Sequence, residues 1–139
     1  MGKLLDAPQQ LRAAGLRVTR PRVAVLRAVH AHPHADTGTV LSATRAELPA
    51  VSHQTVYDCL DTLTRSGLVR RIQPSGSLAR YETRTDDNHH HLVCQACGAI
   101  HDVDCATGEV PCLHPITDHG FAIRETEVIY WGLCPACAG

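Results

Sequence analysis

The chain has 139 residues, of which 44% are hydrophobic and 19% charged, so its composition is that of a folded protein and not of a disordered one. No apolar run approaches the ~18 residues of a membrane-spanning helix, and the first residues lack the apolar core of a signal peptide. We therefore expect a cytoplasmic protein with no membrane partner, in which CxxC pairs bind metals or carry redox chemistry more often than they form structural disulfides.

The net charge of −1 is unevenly distributed along the chain. Residues 1–81 contain eleven Lys or Arg against five Asp or Glu, whereas residues 82–139 contain two against nine. The basic half predicts contact with a polyanion and the acidic half predicts cation binding. Two solvated surfaces of unlike sign are the alternative interpretation.

Four helices are predicted in the basic half. The first covers residues 7–14, the second begins after the capping residue Thr19, and the third begins at about Asp36 or Thr37. The fourth and clearest is "VSHQTVYDCLDTLTRSG", with a cap at its serine, an apolar stripe on one side and a polar face on the other. A polar face of this kind is most often only a solvated surface.

Two β-prone segments follow in "LVRRIQPSGSLARYE", around a Pro-Ser-Gly-Ser turn. Three helices, a fourth amphipathic helix and a basic hairpin occur in the order of a winged helix-turn-helix, which is predicted over residues 1–83. In that arrangement the fourth helix enters the major groove and the hairpin reaches phosphates. The hairpin candidates for phosphate contact are Arg70, Arg71 and Arg80.

Residues 84–139 predict a small α/β dimerisation domain with an antiparallel sheet, so that the whole chain is α+β. The expected strands are "HHLVC", "AIHDV" and "FAIRETEVIYWGLC", and a helix broken by prolines is expected in "ATGEVPCLHPITDHG". Three strands and a broken helix make a small core with exposed sheet edges, which predicts a homodimer formed through the sheet.

Two CxxC pairs occur in this half, Cys94 with Cys97 and Cys134 with Cys137. Four thiolates in a tetrahedron suit Zn²⁺ and leave no open position, so they predict a structural site. A thioredoxin-like redox pair and an iron–sulfur cluster are the alternatives.

A histidine run precedes the first CxxC pair. His89 and His91 are two residues apart, so a strand directs both to one face and directs His90 to the other. Asp102, on the next strand, can approach the first face. Nitrogen and carboxylate donors suit an exchangeable site for Fe²⁺, Mn²⁺, Ni²⁺ or Zn²⁺, and a surface cluster of histidines is the alternative.

The chain resembles the ferric uptake regulator superfamily across nearly its full length, through "GLRVTRPR", "HPHAD", "VSHQTVYDCLDTL", "HHHLVCQACG" and "CPAC". "HPHAD", "YDCLDTL" and "DVDCATGEVPC" are similar to the actinobacterial FurA/CatR group of PerR-like peroxide-sensing repressors. The resemblance implies a homodimeric, metal-dependent repressor without enzymatic activity that binds double-stranded operator DNA. It implies control of catalase-type genes and of its own gene, and no small-molecule substrate beyond metal ions and H₂O₂.

The resemblance also implies metal ligands. Structural Zn²⁺ is bound by the four cysteines, and regulatory Fe²⁺ or Mn²⁺ is bound by His32, Glu82, His89, His91 and Asp102. Asp at 102, in place of Glu, resembles the peroxide-reactive subclass, in which the iron form oxidises its own ligand histidines; here these are His32 and His89. An iron, zinc or nickel uptake regulator without peroxide chemistry is the alternative.

Several residues lie outside these two ligand sets. Cys59 lies on the fourth helix, which is the recognition helix that enters the major groove, and is interpreted as a small core residue. Cys105 and Cys112 are candidates for a reversible, redox-sensing disulfide or for an extra zinc site. An additional metal site, of the kind some members of the superfamily have, has as its candidates His90, His101 and His119.

The recognition helix departs from the family pattern. Asp58 follows "TVY", where many members carry Arg or Asn, and Asp61 shares its face. Two carboxylates repel phosphate unless they accept from base amino groups or lie off the groove. The expected DNA contacts outside the hairpin are Arg17, Arg20, Ser52, Gln54, Thr55 and Tyr57.

Overall fold

The chain folds as two compact units, which we call unit 1 (Met1–Thr85) and unit 2 (Asp86–Gly139). The predicted domain boundary lies between residues 83 and 84. The computed structural model describes residues 5–74, 78–83, 85, 89–106 and 112–139. None of its described helices has the length and apolar content needed to cross a membrane.

Unit 1 combines helices with a small three-stranded sheet of order β1-β3-β2, in which both pairings are antiparallel. Strands β2 and β3 form the hairpin predicted after the fourth helix, so the winged helix-turn-helix is confirmed. Its turn residues 75–77 lie outside the described residues. The elements are α1 (Ala7–Ala13), α2 (Arg20–Ala31), β1 (Ala35–Asp36), α3 (Thr37–Glu47), α4 (His53–Arg65), β2 (Arg70–Ile72) and β3 (Arg80–Glu82).

Side-chain caps fix where the helices begin. Asp36 accepts the backbone N–H of Thr39 at 2.9 Å ahead of α3, and this hydrogen bond holds the pKa of Asp36 below its ordinary value. Ser52 accepts the backbone N–H of Thr55 at 3.0 Å ahead of α4. Each cap contributes about 1 kcal/mol. Helix α4 ends before Gly67, whose φ of +84° is a left-handed conformation that glycine adopts without strain.

The core of unit 1 lies between the helices. The stripe predicted on α4 is fully buried, since Val56, Leu60 and Leu63 have exposures of 0%, 1% and 0%. Cys59 is also buried, and its burial raises the pKa of its thiol, so its interpretation as a small core residue is confirmed. Other members of this core are Leu11, Val25, Leu26, Val29, Val40, Val69 and Tyr81.

Unit 2 contains β4 (His89–Cys94), β5 (Ile100–Asp104), β6 (Ile129–Gly132) and the short helix α5 (Pro135–Ala138). The sheet order is β5-β4-β6. The pair β4–β5 is antiparallel, as predicted, whereas β6 runs parallel to β4 at the other edge. A parallel neighbour requires a long crossover connection, and the chain between β5 and β6 supplies one.

The crossover connection differs from its prediction. The third predicted strand begins near residue 121, whereas the strand in the structure covers only Ile129–Gly132. The described residues between β5 and β6 contain no helix. Residues 107–111, where part of the predicted helix falls, lie outside the described residues. Pro115 lacks a backbone N–H, so it does not support helix in the described part of this segment.

Candidate metal centres and nucleic-acid interface

The four CxxC cysteines lie together in unit 2. Cys94 is the last residue of β4 and Cys97 belongs to the following turn, while Cys134 caps α5 and Cys137 lies within it. Their sulfur atoms all lie within 4.8 Å of one another, and none of the four forms a disulfide. The Sγ atoms of Cys97 and Cys134 are 3.7 Å apart. Two sulfurs of a tetrahedral zinc site are separated by about 3.8 Å, so the cluster fits such an ion.

Hydrogen bonds distribute the protons of this cluster unevenly. The sulfur of Cys94 accepts the backbone N–H of Cys97 at 3.5 Å and of Cys134 at 3.4 Å. These donors lower the pKa of Cys94 to about 6. Hydrogen bonding with Cys134, and further with Cys94 and Cys97, raises the pKa of Cys137 to about 12. The backbone is thus arranged to hold negative charge on sulfur at Cys94, as metal binding requires.

The histidine run lies on β4, and its alternation separates two faces. His89 and His91 are both fully buried, with ring centroids 4.9 Å apart. The Oδ1 atom of Asp102, on β5, lies 3.2 Å from Nε2 of His91 and 3.5 Å from Nε2 of His89. The structure therefore brings these three predicted ligands together. Two imidazoles and a carboxylate form a donor set that suits Fe²⁺ or Mn²⁺.

The predicted ligands of unit 1 are arranged differently from expectation. Glu82, the last residue of β3, is 1% exposed, and its Oε2 atom lies 3.1 Å from Nε2 of His34. His32 is exposed and terminates α2 with a backbone hydrogen bond to Ala28. The structure therefore places His34, and not the predicted His32, beside Glu82.

The position of His34 follows from strand pairing. Strand β1 begins at Ala35 and pairs with β3, and the backbone N–H of His34 donates to the carbonyl of Tyr81 at 2.9 Å. This pairing directs the side chain of His34 toward the end of β3. The φ of His34 is +65°, a left-handed conformation that is rare for residues other than glycine and that often marks functional positions. The sequence signal for this contact was weak, because β1 has only two residues.

The other face of β4 carries His90, which is 3% exposed. It lies with Cys105 and Cys112, and the ligating atoms of all three are within 4.8 Å of one another. No group of three metal-ligating side chains in the described residues combines His90 with His101 or His119. The predicted additional histidine site is therefore not assembled in that part of the chain, and the two cysteines take the positions beside His90.

The candidate nucleic-acid interface is the outer face of α4 with its surroundings. Tyr57 is 45% exposed, and Gln54 and Ser52 are exposed beside it. Thr55 is half-buried. Arg17 and Arg20 are exposed before and at the start of α2. The face is therefore accessible and carries hydrogen-bonding groups and cations, which is the surface that a base-reading helix requires.

The two carboxylates on α4 have partners within the helix. Asp58 accepts from Nε2 of Gln54 at 2.9 Å, and Asp61 lies 2.9 Å from Arg65. Both are exposed, so these contacts moderate but do not remove the negative charge.

The hairpin arginines differ in their engagement. Arg71 donates to Gln73 at 2.8 Å and is exposed, whereas Arg70 is half-buried. Arg80 donates to the carbonyl of His34 at 3.3 Å, so its guanidinium is engaged within unit 1.

Comparison with known proteins relates these features to one family. Residues 13–131 match the ferric uptake regulator family. The transcriptional regulator FurA of Mycobacterium tuberculosis is 64% identical over 138 residues, which cover 99% of this chain and 94% of that protein. The peroxide-responsive repressor PerR of Staphylococcus aureus is 29% identical over 140 residues, which cover 97% and 91%. The structure of the ferric uptake regulator from Pseudomonas aeruginosa with manganese superposes with a TM-score of 0.73 at 26% identity, covering 94% of this chain and 99% of that chain. The chain therefore belongs to the ferric uptake regulator family.

Proposed function

We propose that this chain is a metal-dependent transcriptional repressor that binds double-stranded operator DNA as a homodimer and responds to H₂O₂. The observation that carries the proposal is the pair of buried imidazoles on β4 facing the carboxylate of Asp102, in a chain that also presents an exposed recognition helix. The relative named transcriptional regulator FurA supports the regulatory role, and the relative named peroxide-responsive repressor PerR supports the response to H₂O₂.

Unit 1 supplies DNA binding in this proposal. Helix α4 enters the major groove, where Gln54 and Tyr57 reach base edges and Ser52 and Thr55 contact the backbone near the N-terminus of the helix. The basic contacts to phosphate come from Arg17, Arg20, Arg70 and Arg71. Arg80 contributes only if it gives up its hydrogen bond to the carbonyl of His34.

The four-cysteine cluster holds structural Zn²⁺ in this proposal. Four soft donors with tetrahedral spacing complete the coordination of the ion and leave no position for a substrate. The site joins the end of β4 to the chain's last turn of helix, so it holds together two segments that are 40 residues apart at Cys94 and Cys134. Its chemical contribution is therefore to folding.

The regulatory site is proposed to use His89, His91 and Asp102 from unit 2, together with Glu82 and His32 from unit 1. Assignment of His32 rests on the family resemblance, whereas the geometry of unit 1 supports His34 as the residue that orients the Glu82 carboxylate. Binding of one Fe²⁺ or Mn²⁺ by ligands from both units would favour one arrangement of the recognition helices. The ion favours that arrangement because it binds to it more tightly than to the others.

Bound Fe²⁺ would supply the electron that reduces H₂O₂ next to the coordinating side chains. His89 contacts Asp102, which would hold its ring in place at the site of a bound ion. His89 and His32 are the proposed targets of the oxidant. Oxygen added to either ring weakens its binding to the metal, and DNA affinity falls, which would release catalase-type genes and the repressor's own gene.

The homodimer is proposed to form through unit 2. Leu92 of β4 and Tyr130 of β6 are paired neighbours on one face of the sheet and are 47% and 50% exposed. An apolar surface of this kind on a small domain is usually covered by a partner. Light scattering after size-exclusion chromatography tests this part of the proposal, and a monomer at micromolar concentration contradicts it.

A mobility-shift assay with the operator region of the chain's own gene tests metal dependence. We expect binding with Mn²⁺ and at least tenfold weaker binding after chelation, together with a steep dependence on salt. Equal binding in both conditions refutes the proposal.

Peptide mass spectrometry then separates peroxide sensing from metal-supply sensing: H₂O₂ should add oxygen to peptides containing His32 or His89 in the iron form only. Unmodified histidines in the iron form favour an iron, zinc or nickel regulator without peroxide chemistry.

A further inference from the structure

The cluster of His90, Cys105 and Cys112 is not used by either proposed metal site. His90 lies on the central strand with its Nε2 atom 3.2 Å from Sγ of Cys112. Cys105 directly follows β5, and its sulfur lies within 4.8 Å of Sγ of Cys112 and of a ring nitrogen of His90. Both cysteines are half-buried thiols outside any disulfide. The geometry thus places two thiols and one buried imidazole in mutual reach.

The second ring nitrogen of His90 determines what the imidazole does. The backbone N–H of Val128 donates to Nδ1 of His90 at 3.2 Å. A nitrogen that accepts a hydrogen bond carries no proton, so the neutral ring holds its proton on Nε2. That Nε2–H group donates to the sulfur of Cys112. An N–H donor stabilises a sulfur anion relative to the thiol, so this contact favours the thiolate form of Cys112.

The same hydrogen bond disfavours a metal ion at this cluster. A metal bound at Nε2 needs the lone pair of that atom, which leaves the proton of a neutral ring on Nδ1. The N–H of Val128 already points at Nδ1, so two donors would face each other. The ordinary arrangement at a metal-bound histidine is the reverse, with the second nitrogen donating to a carbonyl or carboxylate.

We propose that Cys112 is a peroxide-oxidised thiol, that Cys105 resolves it to a reversible disulfide, and that His90 is the positioning residue. The thiolate of Cys112 attacks one oxygen of H₂O₂; an S–O bond forms, the O–O bond breaks, and hydroxide takes up a proton to leave as water. Cys105 then attacks the sulfur of the sulfenic acid, the S–S bond forms, and a second water leaves. Two thiols lose two electrons in all, and one H₂O₂ is reduced to two waters.

This site goes beyond the proposed metal-dependent function, because no bound metal takes part in it. The experiment therefore uses the full-length chain loaded with Zn²⁺ and Mn²⁺, in which iron-driven histidine oxidation does not occur. The protein is treated with H₂O₂ in the presence of dimedone, which traps sulfenic acids, and its peptides are analysed by mass spectrometry. DNA binding is not a readout, so failure of the repressor proposal does not affect the result.

Two variants and the unsubstituted chain give the expected pattern. Cys105→Ser should accumulate the dimedone adduct at Cys112, whereas Cys112→Ser should give no adduct at Cys105. In the unsubstituted chain the two residues should form the disulfide, and the buried Cys59 should stay unmodified as an internal reference.

Two substitutions of His90 test whether its side chain acts on Cys112. His90→Leu removes the donor and should slow oxidation of Cys112 about tenfold, the effect of losing one hydrogen bond to a charged atom. His90→Gln keeps an N–H near the same place and should stay within about threefold of the unsubstituted rate. If His90→Leu does not fold, the two cysteine variants still decide the proposal.

Several outcomes overturn it. The assignment of the two thiols would be reversed if Cys105 in the Cys112→Ser variant formed the adduct as fast as Cys112 is oxidised in the unsubstituted chain. An oxidation rate unchanged in a folded His90→Leu variant would remove His90 from the site. Two tightly bound zinc ions per chain, falling to one in Cys112→Ser, would show that the cluster is a metal site instead.

Discussion

Replacing His34 should change the free energy of unfolding in two ways, through its hydrogen bond to Glu82 and through its left-handed backbone. The Nε2 and Oε2 atoms are 3.1 Å apart, and the side chains are only 14% and 1% exposed, so water does little to screen the interaction. Replacing His34 with Ala removes the only one of these two groups that can donate. A hydrogen bond to a charged group contributes about 1.5–3 kcal/mol, and we expect the free energy of unfolding of unit 1 to fall by about that amount.

The left-handed backbone at His34 makes the second contribution, and His34→Gly is the matched control for it. His34 has a φ of +65°, which costs a residue with a Cβ about 1–2 kcal/mol relative to glycine. His34→Gly loses the same hydrogen bond but relieves this strain, and glycine's extra entropy in the unfolded chain offsets part of the gain. His34→Gly should therefore be more stable than His34→Ala by about 1 kcal/mol.

Two optical signals separate the units in this measurement. The long helices all belong to unit 1 among the described residues, so far-ultraviolet circular dichroism during urea unfolding reports that unit. The single tryptophan of the chain, Trp131, lies in unit 2, so its fluorescence reports the other one. We expect the urea concentration at the dichroism midpoint to be highest for the unsubstituted chain, lower for His34→Gly and lowest for His34→Ala. Equal midpoints for the two variants, or Ala above Gly, would refute the argument from the left-handed backbone.

Three further predictions address the core, the DNA surface and the thiols. Leu63→Ala removes a fully buried side chain of α4 and should lower the free energy of unfolding by about 2–5 kcal/mol, read by the same dichroism titration; an unchanged midpoint contradicts this. Arg17→Ala should weaken binding to operator and random DNA by a similar factor and reduce the salt slope by about one, whereas a loss confined to the operator would assign it to base recognition. In the metal-free, reduced chain the pKa of Cys94 is lowered to about 6, so its reactivity toward iodoacetamide should persist above that pH and disappear as pH falls through it. Reactivity that begins only near the ordinary thiol value of 9.0 would show that the backbone donors do not act.

The features that the sequence predicted well are those set by neighbours along the chain. Ser52 and Asp36 are caps whose backbone N–H donors lie three residues away, and the stripe of Val56, Leu60 and Leu63 follows from helical spacing. The alternation of His89 and His91 on one face likewise needs only a strand. Local geometry is sufficient for all of these.

The features that the sequence missed depend on distant pairings. The parallel neighbour β6 is brought to β4 by a connection whose course no local pattern specifies. His34 meets Glu82 because a strand of two residues pairs with β3, and a strand that short has no periodicity to detect. The hydrogen bond from Val128 to His90 joins residues 38 positions apart, so the proton placement on that ring was not accessible to sequence reasoning.

Strand β4 carries the histidines of one proposed site and ends at Cys94 of the other, only three positions after His91. Because side chains alternate along a strand, one residue inserted or deleted between them would turn His89 and His91 to the face now held by His90 while Cys94 stayed bound in its cluster. Substitutions here are a different matter, since they change one side chain without changing the faces to which its neighbours on the strand point. Functional relatives should therefore differ in the identity of residues along this interval and almost never in its length.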